Sequence, residues 1–155
     1  MPSPRRNAWG RWSEGEAVEK TFLLEVVTPY GLVVSSKVEE AYVQGSQGDF
    51  GILPGHAPLL TSLRIGELHY KQDKKVHYLA INRGFAEITP VRTTILADTA
   101  ERAEEIDLAR ARAAKARAEE RLKTLTAKDE AYPSELEALE RAKVRIRVAE
   151  KAPRD

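Results

Sequence analysis

The sequence has 155 residues, enough for one large domain or two small ones. Its formal net charge is only +1 although 32% of its residues are charged, so it lacks the basic excess expected of a nucleic-acid-binding protein. The absence of cysteine excludes disulfides, thiol catalysis and thiolate metal sites, and no apolar run approaches the length of a membrane-spanning helix, so we expect no direct membrane insertion.

Residues 1–20 are rich in Pro, Arg, Ser and Gly and contain Trp9 and Trp12. No apolar core follows the arginines, and glutamates lie among them, so the segment is typical of neither a secretory signal nor an organelle transit peptide. We predict a flexible N-terminal extension. It is either disordered, the result of a start codon assigned too far upstream, or a tail that contacts a partner through its tryptophans.

Residues 21–100 have the pattern of an all-β domain. Short apolar or alternating segments are separated by glycine and proline, and all nine glycines lie within the first 100 residues. Many short strands at this spacing indicate a sandwich or flattened barrel. The predicted strands are residues 21–27, 37–43, 66–71, 76–82, 85–89 and 93–97.

Within this region, residues 48–60 (GDFGILPGHAPLL) are punctuated by glycine and proline. This composition predicts a rigid, shaped loop between strands, with a type II turn at Pro54 and Gly55. Taken alone, the run is as consistent with an ordinary strand connection as with a functional loop.

Composition changes sharply near residue 100, which predicts a second small domain at residues 101–155. This part contains thirteen alanines and no glycine, and we expect two helices that form an antiparallel hairpin. The break is predicted at residues 126–132, with Pro133 in the first turn of the second helix and a capping box at Ser134 and Glu137. The apolar stripes are Leu108, Ala111, Ala118, Leu122 and Leu125 on the first helix and Leu136, Leu139, Ala142, Ile146 and Ala149 on the second.

Only six large apolar residues lie on these stripes, because the other positions are alanine. The apolar area that the hairpin can bury is therefore small compared with the conformational entropy lost when it is ordered. We predict that the hairpin packs marginally and can exchange its packing for other partners.

Residues 48–60 are followed about fifty residues later by the sequence IDLARA at residues 106–111, which opens an alanine- and arginine-rich helix. In this order and at this distance, the two segments resemble the epsilon subunit of the F-type ATP synthase, of the bacterial type. The resemblance extends from about residue 21 to residue 151. It implies a two-sheet β-sandwich followed by the helical hairpin, in a rotor subunit that does no chemistry itself and requires no cofactor.

The resemblance also implies a set of partners. The β-sandwich is expected to bind the gamma subunit and the membrane rotor ring, which places the chain at the cell membrane as a peripheral protein on the cytoplasmic side. When extended, the hairpin is expected to reach the catalytic alpha/beta head and inhibit ATP hydrolysis. Gly48, Asp49 and His56 are predicted to contact the rotor ring, since Asp49 occupies a commonly acidic position of the family.

In some family members the sequence at residues 106–111 belongs to a nucleotide site, together with an upstream glutamate and two arginines of the second helix. Once one inserted residue is allowed, the matching residues here are Glu101, Asp107, Arg110, Arg141 and Arg145. Arg141 and Arg145 are one helical turn apart and can meet a polyphosphate together, so the resemblance implies ATP as a regulatory ligand. The alternative is that these arginines only pair with glutamates on an exposed hairpin.

No pattern in the sequence supports catalysis or metal binding. The three histidines lack a ligand spacing, and the sequence has neither a nucleophile elbow nor a P-loop. Two other functions are consistent with the hairpin. One is a free-standing nucleotide-sensing regulator without a rotor partner, and the other is a coiled-coil adapter or chaperone that dimerises through its leucines.

Overall fold

The computed structural model describes residues 20–153, so the predicted N-terminal extension lies outside the described residues except for Lys20. Seven β-strands are followed by a short 3₁₀ helix at Ala103–Glu105 and two α-helices. The strands are β1 (Phe22–Thr28), β2 (Gly31–Val38), β3 (Glu40–Gly45), β4 (Gly48–Ile52), β5 (Leu59–Gln72), β6 (Lys75–Ile88) and β7 (Arg92–Arg102), and the helices are α1 (Leu108–Thr124) and α2 (Tyr132–Ala149).

The seven strands hydrogen-bond in the order β2-β1-β7-β6-β5-β3-β4. Every neighbouring pair is antiparallel except β1 and β7, which run parallel. The ladder folds over itself, so that Val34 of β2 and Ile52 of β4, from its two ends, belong to the same buried core. The chain is therefore a β-sandwich followed by a two-helix domain, which confirms the predicted fold class. The division at residue 100 stays a prediction, and β7 itself continues to Arg102.

The core of the sandwich follows the alternation of strand side chains. In β1, Phe22, Leu24 and Val26 are almost completely buried, whereas the residues between them are less buried. In β5, Leu68 and Tyr70 are buried in the same core, as their alternation with polar residues predicts. Apolar burial on one face of each strand is what holds the two layers together.

Two predicted strands, residues 76–82 and 85–89, form the single strand β6. Arg83 adopts a left-handed conformation with φ of 47°, and pairing with β7 continues on both sides of it. A Cβ atom on Gly84 would lie 1.9 Å from the carbonyl oxygen of Leu96. The predicted break was wrong, because glycine is required here by the close approach of β7 and not by a chain reversal.

The predicted loop at residues 48–60 was also partly wrong. Strand β4 takes up its first five residues, and β5 begins at its last two. The true loop is residues 53–58, where the N–H of His56 donates to the carbonyl oxygen of Leu53 at 3.1 Å and Gly55 has φ of 82°. This geometry confirms the predicted type II turn.

Local side chains set the helix boundaries. Asp107 begins α1 as its N-cap, since its carboxylate accepts from the N–H of Arg110 at 3.0 Å. Helix α2 begins with Pro133 in its first turn, as predicted. The predicted capping box was wrong, because Ser134 lies within that turn and its hydroxyl donates to the carbonyl oxygen of Ala131 at 2.9 Å.

The hairpin is compact and packs on the sandwich through α2. Val144 and Val148 are buried in a second apolar cluster, which also contains Ile65, Ala80, Ala103 and Ile106. The predicted stripe of α2 omitted both valines and included Leu136, which is 43% exposed. The stripe was partly right, since Ala142 is buried, but incomplete, because α2 contacts two neighbours on different faces: α1, where Ala142 lies, and the sandwich, where the valines lie. Neither described helix is long and apolar enough to cross a membrane.

Candidate functional site

A cleft of about 370 Å³ lies between the hairpin and the β-sandwich. It is lined by three of the five residues predicted to bind nucleotide, namely Glu101 at the end of β7 and Arg141 and Arg145 on α2. Strand β7 and both helices contribute to it, so its shape depends on the docked position of the hairpin. The other lining residues are Asn82, Thr99, Ala114, Arg117, Ala118, Arg121, Glu135, Ala138 and Ala142.

Arg145 is paired with Glu101 in this cleft. Its Nη2 donates to Oε2 of Glu101 at 3.1 Å, and its Nε lies 2.9 Å from Oε1. The Nε atom is buried and, within residues 20–153, has no hydrogen bond of acceptable geometry despite that short distance. The pair joins α2 to β7 and sets the charge of Arg145 against the carboxylate of Glu101.

Arg141 lies one helical turn before Arg145 and is held less tightly. Its Nη1 is 4.0 Å from Oε2 of Glu137, at the limit of an ion pair. Glu137 also pairs with Arg83 of β6, so its carboxylate is shared between two guanidinium groups. The guanidinium of Arg141 is therefore the more available of the two for a ligand in the cleft.

Two further arginines of the cleft were not predicted as site residues. Arg117 and Arg121 lie one turn apart on α1, the same spacing that Arg141 and Arg145 have on α2, and that spacing was the signal that could have found them. Arg121 Nη1 pairs with Oε1 of Glu135 at 3.0 Å. Four guanidinium groups thus line the cleft against two carboxylates, which leaves an excess of two positive charges and favours a polyanion such as a polyphosphate.

The other two residues predicted to bind nucleotide, Asp107 and Arg110, are not among those that line the cleft. Both are exposed at the start of α1, where Asp107 is engaged as the helix N-cap. The structure therefore brings Glu101, Arg141 and Arg145 together and leaves this pair outside. A direct contact of Asp107 or Arg110 with nucleotide stays a prediction.

Asp49, predicted to contact the rotor ring, lies on β4 in a network of polar side chains. Arg64 Nη2 donates to its Oδ1 at 3.0 Å, and Tyr42 and Gln44 donate to Oδ2 at 3.2 and 3.4 Å. Partial desolvation opposes ionisation, but these hydrogen bonds, first that of Arg64, hold the pKa of the Asp49 carboxyl below its usual range. Partial desolvation and the hydrogen bond to Asp49 raise the pKa of Tyr42. A fixed, ionised carboxylate is thus presented at this edge of the sandwich.

The other two residues of the predicted ring contact lie on either side of Asp49. Gly48 begins β4 with φ of 136°, and His56 lies in the loop that follows the strand. The ring of His56 is 6.5 Å from that of Phe50, centroid to centroid. Because successive strand residues face opposite ways, Phe50 and Asp49 point to opposite faces of β4, and the structure does not bring the side chains of His56 and Asp49 together.

Within residues 20–153, no group of three or more His, Asp or Glu side chains is arranged to hold a metal ion. The described histidines instead contact aromatic rings. His69 stacks on Tyr42 at 4.9 Å, and His77 stacks on Tyr70 at 5.0 Å, centroid to centroid. These contacts give both histidines a structural role on β5 and β6.

Comparison with protein families matches residues 21–103 to "ATP synthase, Delta/Epsilon chain, beta-sandwich domain" and residues 104–150 to "ATP synthase, Delta/Epsilon chain, long alpha-helix domain". The chain is 52% identical over 131 residues to the ATP synthase epsilon chain of Geotalea uraniireducens. The matched segment covers 84% of this chain and 95% of that relative. It is 50% identical, with the same coverage of both chains, to the ATP synthase epsilon chain of Geobacter sulfurreducens.

Two solved structures support the fold. A chain of the Euglena gracilis mitochondrial ATP synthase, in a structure of OSCP, F1 and c-ring, has a TM-score of 0.72 at 21% identity and covers 92% of this chain and 87% of that one. A chain of the Tetrahymena thermophila mitochondrial ATP synthase, in a structure of the central stalk and c-ring, has a TM-score of 0.54 at 13% identity, with 86% and 96% covered.

Proposed function

Because this chain belongs to the ATP synthase epsilon chain family, whose members are non-catalytic subunits of the central stalk, we propose that it couples the gamma subunit to the membrane rotor ring and inhibits ATP hydrolysis through its hairpin. ATP is the regulatory ligand that we assign to the arginine-lined cleft. The chain would be held at the cytoplasmic side of the cell membrane through its partners. Family membership favours this function over a free-standing sensor or a coiled-coil adapter.

The observation that carries the regulatory part of the proposal is the composition of the cleft. A polyphosphate seated there would contact Arg141 and Arg145 of α2, Arg117 and Arg121 of α1, and a polar group of β7 such as Thr99. Such a ligand bridges both helices and the sandwich. It therefore binds the compact hairpin more tightly than an extended one, and by linkage it stabilises the compact state.

This linkage is large enough to matter for a weakly packed element. A ligand present at a hundred times its dissociation constant shifts the equilibrium by ~2.7 kcal/mol. The helix–helix contact buries mainly Ala111, Ala118 and Ala142, whose small side chains contribute little apolar area. ATP in the cleft would thus oppose release of the hairpin toward the catalytic alpha/beta head.

Two measurements test the proposed ligand. ATP is expected to bind the isolated chain in a calorimetric titration and to slow amide exchange in both α1 and α2. A chain that gave no heat of binding and no change in exchange at millimolar ATP would exclude ATP from the cleft.

An exposed apolar patch supports binding of the gamma subunit by the sandwich. Phe85 of β6 lies directly opposite Leu96 of β7, and the two are 57% and 53% exposed. Leu60 of β5, on the same face, is 72% exposed. Exposed apolar side chains grouped in this way are typical of a protein–protein contact, and we assign this patch to the gamma subunit.

We expect Phe85→Asp to weaken the complex with an isolated gamma subunit at least about tenfold, because a charge would have to be desolvated in the interface. Val76→Asp is the matched control, since Val76 lies at the other end of β6 and is also exposed. Binding by sedimentation or surface plasmon resonance measures both variants. Equal effects of the two substitutions would contradict the assignment.

We expect Asp49→Lys to lower the amount of chain that co-purifies with the membrane sector, because it reverses the fixed charge at the predicted ring contact and places it beside Arg64. Asp73→Lys makes the same charge change in the exposed turn between β5 and β6 and is the control. Undiminished co-purification of the Asp49 variant would count against contact of this edge with the ring.

A further inference from the structure

Glu67 of β5 is the one charged residue among residues 20–153 that is buried, with 6% of its surface exposed. Its backbone N–H donates to Oε1 of Gln44 at 2.7 Å. The side chain lies on the face opposite to Leu68, toward the hairpin and not toward the interior of the sandwich. A carboxylate in this position must be paired, because burial of an unpaired charge is strongly unfavourable.

The partners of Glu67 come mainly from the far end of the hairpin. Lys151 Nζ donates to Oε2 at 2.6 Å, and Arg147 Nε lies 3.9 Å from the same oxygen. Arg147 lies in the last turn of α2, and Lys151 follows the helix one turn later. The other oxygen, Oε1, is 3.1 Å from His69 Nδ1.

Lys151 is held by a second contact with the sandwich. Its Nζ lies 5.1 Å from the centroid of the Tyr78 ring, on β6. Close to it, Val148 is buried in the apolar cluster between α2 and the sandwich. Charged and apolar contacts therefore meet at one point, where the chain leaves the helix.

We propose that Glu67 is a latch that fixes the C-terminal end of α2 to the β-sandwich, separately from the arginine-lined cleft. Glu67 and Lys151 are 84 residues apart in the sequence, so their ion pair forms only when the hairpin is docked. The cleft holds α2 through Arg145, about one turn before the end of the helix, whereas the latch holds the end itself through Lys151. The inference rests on the proposed function in one respect, namely that the hairpin leaves the sandwich when the subunit inhibits ATP hydrolysis.

The test is hydrogen exchange on the full isolated chain without nucleotide, comparing wild type, Glu67→Gln, Lys151→Gln and the double variant. We expect each single variant to speed amide exchange in residues 144–149 about tenfold, and the double variant to be no faster than Glu67→Gln alone, because both substitutions remove the same interaction. The control is Glu25→Gln, which breaks the 3.0 Å pair with Arg92 on the sandwich.

Two results would overturn the latch. The first is a rate of amide exchange in residues 144–149 that Glu67→Gln leaves at the wild-type value, or that Glu25→Gln raises by the same factor as Glu67→Gln does. The other is a double variant in which the two single effects simply add. Amides of β7 report any general loss of folding, and Lys151→Gln, a change at a partly exposed side chain, tests the pair without altering the core. Calorimetry with ATP on the same variants separates the two proposals, since the latch can hold or fail whether or not nucleotide binds.

Discussion

ATP hydrolysis by the assembled enzyme is expected to rise roughly fivefold or more when the hairpin is removed from this chain. A factor of about five is the lower end of the range that regulatory couplings typically show. Among residues 20–153, the hairpin is the part that packs on the outside of the sandwich through one helix, so its loss removes the proposed inhibitory element while the proposed gamma and ring contacts stay in place. We would end the chain after Glu105, because β7 must be kept whole. The guanidinium of Arg102 donates to the carbonyl oxygen of Val33 at 2.8 Å and to the hydroxyl of Tyr70 at 3.4 Å.

The measurement is the rate of ATP hydrolysis by the enzyme reconstituted with the truncated or the full-length chain. Equal incorporation of the two forms, shown by co-purification with the gamma subunit, is the necessary control. Because truncation uncovers Ile65 and Ala80, the isolated sandwich must also be shown to remain monomeric. Unchanged hydrolysis at equal incorporation would leave the chain with a coupling role alone.

Arg141→Ala is expected to weaken ATP binding by the isolated chain roughly ten- to a hundredfold, which corresponds to the ~1.5–3 kcal/mol typical of a hydrogen bond to a charged group. Arg141 is a cleaner test than Arg145. Replacement of Arg145 would also break its pair with Glu101 and so loosen the hairpin itself. Arg141 has only the 4.0 Å contact with Glu137 to lose.

Arg112→Ala is the matched control for this measurement. Arg112 lies on α1, is not among the residues that line the cleft, and makes a distant pair with Glu150 at 3.7 Å. Isothermal titration with ATP should find its affinity within about twofold of wild type, since it changes net charge without touching the cleft. An equal loss of affinity in both variants would indicate non-specific charge attraction, and no loss in Arg141→Ala would place the nucleotide elsewhere.

Much of the fold could be predicted because its signals are local. Glycine and proline mark the sheet connections, such as the turn at Gly55, and the alanine-rich sequence without glycine marks the helices. The errors arose where tertiary contacts, and not the local sequence, determine the structure. Gly84 is typical of a break between strands, but it lies within the long strand β6, where it allows the close approach of β7. The valines of α2 were overlooked because the helix has a second apolar face, which only the position of the sandwich reveals.

Some residues of the candidate site could also be predicted from local sequence patterns, whereas others depend on tertiary contacts. The spacing of Arg141 and Arg145 places them on one face of a helix, and this could be predicted. Arg117 and Arg121 have the same spacing and could have been predicted as a pair on one face of α1, but their position in the cleft depends on how the two helices pack. The alternation of β5 places Glu67 on the side opposite to Leu68, but its burial depends on where the hairpin docks.

The alanine-lined contact between the two helices has a consequence for how far the chain can extend. Helices of 17 and 18 residues measure about 25 Å each at 1.5 Å per residue. Folded side by side they project one helix length, but placed end to end they would span roughly 50 Å. Because small side chains neither interlock nor bury much area, separating the helices costs little, and an arm of that reach could touch a neighbour that the folded form does not approach.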